Sequence, residues 1–198
     1  MTSTEPSPGA SDAKNFSVQT TAIEGVVVVT SFQRTDLRGA FSRLSCAIEL
    51  APIYGARCIV QINHSRTARV GAVRGLHYQH PPFAEMKLVR CVRGRVMDVA
   101  LDLRQGSPSF LNFHAVELTS TNGRMLVIPE GCAHGFQVLE AESELLYLHT
   151  APYSPEHEGG VHCQDPRLAI PWPLEPVDLS ARDRGFASLG PDFSGLCL

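Results

Sequence analysis

From Gly25 onward the chain is a succession of short apolar, β-branched runs broken by glycine and proline. The clearest runs are Val26–Val29, Cys58–Ile62, Met86–Val92 and Val96–Leu103, followed by Phe113–Leu118, Met125–Ile128, Phe136–Leu139 and Leu145–His149. Their spacing of about ten residues, with turns such as Arg93-Gly94 and Glu130-Gly131, predicts an all-β sandwich or barrel. Only two stretches read as helical: Ser42–Leu50, and a C-terminal piece in which Ser180 serves as N-cap ahead of Ala181-Arg182-Asp183. Residues 1–16 are rich in Ser, Thr, Pro, Gly and Ala, which predicts a disordered tail before a single domain over 17–198.

Strand alternation sorts these residues by face. Lys87 shares a face with Val89 and Cys91, and Tyr147 and His149 share one with Leu145. Polar groups interleaved with apolar ones on one face predict a barrel whose interior holds a pocket rather than a filled core.

At 198 residues, with 43% hydrophobic and 19% charged positions, the chain suits one globular domain with ample core. A net charge of −3 argues against nucleic acid as the main partner, while leaving room for a local arginine cluster that holds a phosphate. The polar start has no apolar signal segment, and no apolar run is long enough to span a membrane. The six cysteines show no C-x-x-C spacing, so they are expected as free thiols in the reducing cytoplasm.

Of the 17 basic residues, only Lys14 and Lys87 are lysine. Lys14 falls in the tail, so Lys87 is the one ammonium expected in the folded domain. A compact ammonium suits a developing oxyanion, whereas the planar fork of arginine suits carboxylates and phosphates. His77 lies ten residues before it, with Arg74 three residues earlier and Gln61 and Asn63 on the preceding strand. An imidazole beside an ammonium can abstract a proton next to a carbonyl. Each residue also has a plain structural reading. Lys87 could be a strand lysine reaching solvent, and His134, in Pro129-Glu130-Gly131-Cys132-Ala133-His134, a histidine bonding its turn. Tyr147 could be a core aromatic rather than a proton donor. Asp183 could be a first-turn helix carboxylate rather than the partner of an imidazole.

Metal binding is a separate question. Pro129-x-Gly131-x-x-His134 matches half of the cupin metal signature, but the other half is damaged. Gln79 stands where a histidine is wanted, leaving only His77, His80 and His134 as an incomplete ligand set.

Taken in order, these residues resemble the dTDP-4-dehydrorhamnose 3,5-epimerase family. The matching segments are Arg74-Gly75-Leu76-His77-Tyr78-Gln79, Lys87-Leu88-Val89-Arg90, Asp98–Arg104 and Gly106–Phe110. Further matches are Ile128–Gly131, His134-Gly135-Phe136, Tyr153-Ser154-Pro155, Asp165-Pro166, Ile170–Pro173 and Leu179–Asp183. The resemblance runs from about residue 25 to 185. It implies a cupin-type double-stranded β-helix (jelly roll) working without metal or other cofactor, as a homodimer, on a nucleotide-diphosphate 4-keto-6-deoxyhexose. Carried over by position, His77 is the general base, Asp183 its paired carboxylate, Lys87 the enolate stabiliser and Tyr147 the proton donor on the opposite face. Arg38, Phe41, Gln61, Asn63, Arg74, His134, Tyr153 and Ser180 match substrate-contacting positions. The chain departs from the family at Ala40, where an aromatic is usual, and at Arg43, where an acidic residue is usual.

Both C3 and C5 flank the C4 ketone, so one base and one acid on opposite ring faces can invert either centre through a planar enolate. The resemblance therefore admits a C3,C5 epimerase or a C3-only epimerase of the same substrate class. A metal-dependent cupin dioxygenase or isomerase is the alternative from another class, and a sugar-nucleotide binding module without turnover is a further one.

Overall fold

The computed structural model describes residues 14–198. Two antiparallel sheets face each other. The six-stranded sheet runs in the order β1 (Phe16–Thr20), β2 (Val27–Ser31), β10 (Arg124–Ile128), β7 (Lys87–Arg93), β12 (Ser143–His149) and β5 (Gln61–Thr67). The five-stranded sheet runs β13 (Glu158–Gly160), β6 (Val73–Gln79), β11 (Cys132–Val138), β8 (Arg95–Asp102) and β9 (Phe113–Thr119). A separate hairpin, β3 (Gln33–Asp36) and β4 (Gly39–Ser42), belongs to neither sheet. This is the jelly-roll architecture that the family resemblance implied, and one form of the sandwich or barrel that the strand spacing predicted.

Alternation along the strands divides the core into layers. Val89, Cys91 and Leu145 from one sheet meet Ala100, Phe136 and Val138 from the other, filling the space between them. The opposite faces of the same strands are covered separately. Val29, Leu88 and Leu148 pack under Phe16, Leu50 and Tyr54, while Leu76, Val99 and Leu101 pack under Val161, Leu168 and Ile170 of the C-terminal segment. Lys87 and Tyr147 thus emerge on the inner face, as alternation predicts.

Two glycines of the sequence motifs have a direct steric cause. Gly75 of β6 and Gly135 of β11 meet where the two strands cross closely. A Cβ on Gly75 would lie 2.5 Å from Gly135 Cα, and one on Gly135 would lie 2.8 Å from Arg74 O. Gly75 also has φ +117°, a region that side chains disfavour. This tight crossing sets His77 and His134 as register partners on adjacent strands.

The Asp98–Arg104 and Gly106–Phe110 motifs meet in a loop clasp. Buried Asp102 accepts from Arg104 Nε (2.8 Å), Ser107 Oγ (2.5 Å) and Ser109 Oγ (2.6 Å). Burial pushes its carboxyl up, but these partners outweigh it and hold the pKa down at about 2.

Three expectations are corrected. The segment 42–50 is not a helix: the one helical turn, α1, spans Ala51–Tyr54, with Pro52 in its first turn. Proline lacks the N–H that a helix interior needs and fits only at the start, so helix begins at this point rather than running up to it. The expected strand from Cys58 starts only at Gln61. The tail boundary also shifts: residues 1–13 of the expected tail lie outside the described residues, while buried Phe16 opens β1. All six cysteines are free thiols. Among the described residues no helix is long and apolar enough to cross a membrane.

Candidate active site

A cavity of about 570 Å³ opens between the sheets beside the apolar filling, within the size range of small-molecule sites. His77 reaches it from β6 in the five-stranded sheet, whereas Lys87 (β7) and Tyr147 (β12) reach it from the six-stranded sheet.

His77 Nε2 lies 2.8 Å from Asp183 Oδ1. Asp183 sits in the first turn of α2 (Ala181–Gly185), where its own N–H donates to the N-cap Ser180 Oγ at 3.0 Å. The Gly75 N–H also points at Asp183 Oδ2, at 3.4 Å. Burial raises the Asp183 pKa, but the His77 hydrogen bond and charge together with Ser180 and Gly75 hold it below the ordinary carboxylate value. The carboxylate is therefore ionised and accepts the Nε2 proton, which leaves Nδ1 with the lone pair that can take a proton. The Phe186 ring packs edge-on against His77, at 5.8 Å between centroids.

Lys87 is 9% exposed. Its Nζ donates to His77 O at 3.3 Å and pairs with Glu85 Oε1 at 3.2 Å. Among the described residues these take two of the three ammonium protons, leaving one for a ligand.

The Tyr147 hydroxyl lies 2.9 Å from Ser65 Oγ. Burial pushes the phenol pKa up, and the Ser65 hydrogen bond only partly opposes this. Tyr147 is a protonated donor at neutral pH. Its ring packs edge-on to His134, at 6.0 Å between centroids. His134 Nε2 in turn lies 2.8 Å from Asp98 Oδ1. Asp98 is fully buried, with Oδ2 unpartnered among the described residues, and burial pushes its pKa up against the pull of His134.

Arg74 also lines the cavity and donates only to neutral oxygens, Thr67 Oγ1 at 3.0 Å and Arg66 O at 3.4 Å. Its neighbours Arg66 and Arg69 are paired with Glu142 and Asp178. Arg74 has no carboxylate partner among the described residues, so its charge remains available to an anion. Asn63, Tyr153 and Ser180 line the same cavity. Gln61 does not; its Oε1 accepts from the Tyr153 N–H at 3.0 Å. Arg38 and Phe41 lie on the β3–β4 hairpin, exposed and away from this chain's cavity. Arg43, one of the departures from the family pattern, pairs with Glu49.

Sequence reasoning left out several residues that complete the site. Ser65 orients Tyr147, and Glu158 and Arg182 pair at the cavity wall, with Arg182 Nη2 3.4 Å from His77 Nε2. Glu85 and His149 bond each other at 2.7 Å. His149 was visible as the residue sharing Tyr147's face. Glu85 stood out in the sequence only as a misplaced glutamate of the cupin metal signature, not as a partner of Lys87 or His149. The incomplete histidine set does not converge: His77 and His134 are bonded to separate carboxylates, and His80 packs against Tyr78. Among the described residues no group of three His, Cys, Asp or Glu side chains has a metal-binding arrangement.

Fold and cavity together define a jelly-roll protein with a histidine–aspartate pair and a tyrosine hydroxyl on opposite sheets and an ammonium beside them. Comparison with known proteins gives the family. The family model for dTDP-4-dehydrorhamnose 3,5-epimerase matches residues 20–190. The dTDP-4-dehydrorhamnose 3,5-epimerase of Sinorhizobium fredii is 39% identical over 182 residues, covering 91% of this chain and 93% of the relative. The dTDP-4-dehydrorhamnose 3-epimerase of Streptomyces niveus is 40% identical, covering 82% of this chain and 78% of the relative. Among solved structures, a dTDP-6-deoxy-D-glucose-3,5-epimerase of Legionella pneumophila in complex with dTDP-4-keto-L-rhamnose superposes with TM-score 0.81 at 40% identity. That match covers 85% of this chain and 90% of the other. The chain belongs to the dTDP-4-dehydrorhamnose 3,5-epimerase family.

Proposed function

We propose that this protein inverts C3 and C5 of a dTDP-linked 4-keto-6-deoxyhexose. The observation that carries the reading is the placement of His77 and Tyr147 on opposite sheets of one cavity, with Lys87 tied to the backbone of His77. A sugar ring lying between the sheets has a base on one face and a protonated hydroxyl on the other.

His77 takes the proton from the carbon beside the ketone, and the electron pair moves onto O4 as an enolate. Asp183 stabilises the imidazolium that forms. The remaining N–H of Lys87 donates to the enolate oxygen, where charge builds only as the proton leaves. Tyr147 then donates its proton to the opposite face of the same carbon, which inverts the centre. His134 closes the cavity beside Tyr147, and Asn63, Tyr153 and Ser180 contact the sugar nucleotide. Arg74 binds the diphosphate, fixing the ring with energy drawn from a remote group. No step calls on a metal or other cofactor.

The protein acts as a homodimer in the cytoplasm. The free thiols favour that compartment. Arg38 and Phe41, too far out to serve their own chain's cavity, are placed on an exposed hairpin where they can meet a partner's substrate, and Gln61 holds Tyr153 at the cavity edge. Inversion of C3 alone is a second reading, favoured by similarity to the Streptomyces niveus 3-epimerase. Proton NMR of the product separates the two: ring couplings of an L-rhamno sugar support inversion at both centres, while a product changed only at C3 selects the second. Unchanged substrate rejects both.

A further inference from the structure

Along the cavity lining, four polar side chains from three strands and a loop are joined in a row, and the reaction outlined above uses only its two ends, Lys87 and Asn63. Lys87 Nζ pairs with Glu85 Oε1 at 3.2 Å. The other carboxylate oxygen, Oε2, faces His149 Nδ1 at 2.7 Å. His149 Nε2 then meets Asn63 Nδ2 at 3.3 Å. Glu85 and His149 are both buried, at 8% exposure each, and Lys87 and His149 are register partners on adjacent strands.

The proton directions follow from donor and acceptor chemistry. The Asn63 amide nitrogen can only donate, so His149 Nε2 accepts and the ring proton sits on Nδ1, pointing at Glu85. Burial raises the Glu85 pKa, but the His149 hydrogen bond and the charge of Lys87 bring it below the ordinary carboxylate value. One ionised carboxylate therefore holds an ammonium with one oxygen and an imidazole with the other.

We propose that Glu85 and His149 are positioning residues that set two working groups of the cavity through one relay: Glu85 fixes the ammonium of Lys87, and His149 fixes the amide of Asn63. The inference rests on the epimerase reading, because it takes Lys87 as the enolate donor and Asn63 as a substrate contact. Both line the cavity, but each acts through the residue it holds. Glu85 acts on the chemical step, where the direction of the ammonium matters. His149 acts mainly on binding, by turning the Asn63 oxygen toward the cavity. A purely structural pair would lower stability or the active fraction without separating these two effects.

The test exploits the two nitrogens of His149. In His149→Gln the amide can reach the position of Nε2 and keep a partner for Asn63, but it abandons Glu85. In His149→Asn the amide can reach the position of Nδ1 and keep Glu85, but it abandons Asn63. Steady-state kinetics on the dTDP-4-keto-6-deoxy sugar, with melting curves to confirm folding, should show opposite signatures. His149→Gln is expected to lower kcat several-fold with KM near wild type. His149→Asn is expected to raise KM several-fold with kcat near wild type. Glu85→Gln, if it folds, is expected to lower kcat at least tenfold, with KM changed less than threefold. If both histidine variants shift kcat and KM together, or shift neither, the relay is wrong, whatever Glu85→Gln does. The wild type measured alongside separates this from the functional assignment. An active wild type with unsplit variants overturns the relay alone, whereas an inactive wild type overturns the assignment and the relay with it.

Discussion

Lys87 is tied to the backbone of His77: its ammonium donates to that residue's carbonyl oxygen at 3.3 Å, bridging the two sheets. The proposed base and the proposed enolate stabiliser are therefore fixed relative to one another through a backbone contact that leaves the His77 ring free. Replacing Lys87 by Met should lower kcat by about 10²–10³, the usual cost of losing one oxyanion donor. Lys87→Arg should not restore it, because a planar fork cannot take the place of a compact ammonium. Steady-state kcat at saturating substrate checks both, and an active arginine variant would refute the role.

Asp183 makes a different demand. Asp183→Asn keeps the shape but removes the charge that holds the His77 tautomer. We expect kcat to fall by about 10² or more with KM little changed, in line with what positioned acid–base groups contribute. A variant that retains more than a tenth of wild-type kcat would show that the pair is only structural.

Tyr147→Phe removes the proposed proton donor while leaving His77, Asp183 and Lys87 in place. Proton removal should persist and inversion should fail, so deuterium from solvent returns to the carbon with its original configuration. Inversion at the wild-type rate would exclude Tyr147 as the acid.

The Asp102 clasp predicts an acid limit to stability. Its pKa is depressed in the folded state, from an ordinary 3.8 to about 2, so the folded protein binds this proton less readily than the unfolded chain. The contribution is fully present above about pH 4 and is lost as pH falls toward 2; a shift of this size corresponds to about 2 kcal/mol. Asp102→Asn should remove that loss, flattening the denaturant midpoint between pH 4 and pH 2 relative to wild type. Parallel curves for the two proteins would contradict it.

Gly75→Ala tests the strand crossing. A methyl 2.5 Å from Gly135 Cα, at φ +117°, has nowhere to move except by parting β6 from β11. A loss of more than about 3 kcal/mol is expected, at the exceptional end for single substitutions, and a variant with a wild-type melting temperature would contradict it.

The sequence made the central strands legible because they are short apolar runs buried on both faces, as in Lys87-Leu88-Val89-Arg90-Cys91. It concealed β6, where Arg74, Gly75, His77 and Gln79 replace the apolar positions that mark a strand. It concealed β1 because only Phe16 of that strand is buried. In the segment before α1, Cys46, Leu50 and Ile53 have the spacing of a helical face and do pack together, but Pro52 stops the helix extending upstream and Gly55, at φ +57°, ends it after one turn. The principal cavity residues were found through motif order. Glu85, Ser65 and Arg182 were not, because their roles depend on neighbours far away in the chain: 64 residues from Glu85 to His149, 82 from Ser65 to Tyr147 and 105 from Arg182 to His77.

The most direct test of the account follows solvent deuterium into dTDP-4-keto-6-deoxyglucose by proton NMR, with wild type and His77→Asn side by side. Wild type is expected to incorporate deuterium at both C3 and C5 with inversion, and His77→Asn to incorporate none at either carbon above the uncatalysed rate. Exchange by His77→Asn at the wild-type rate, or a wild type that exchanges neither carbon, would contradict it.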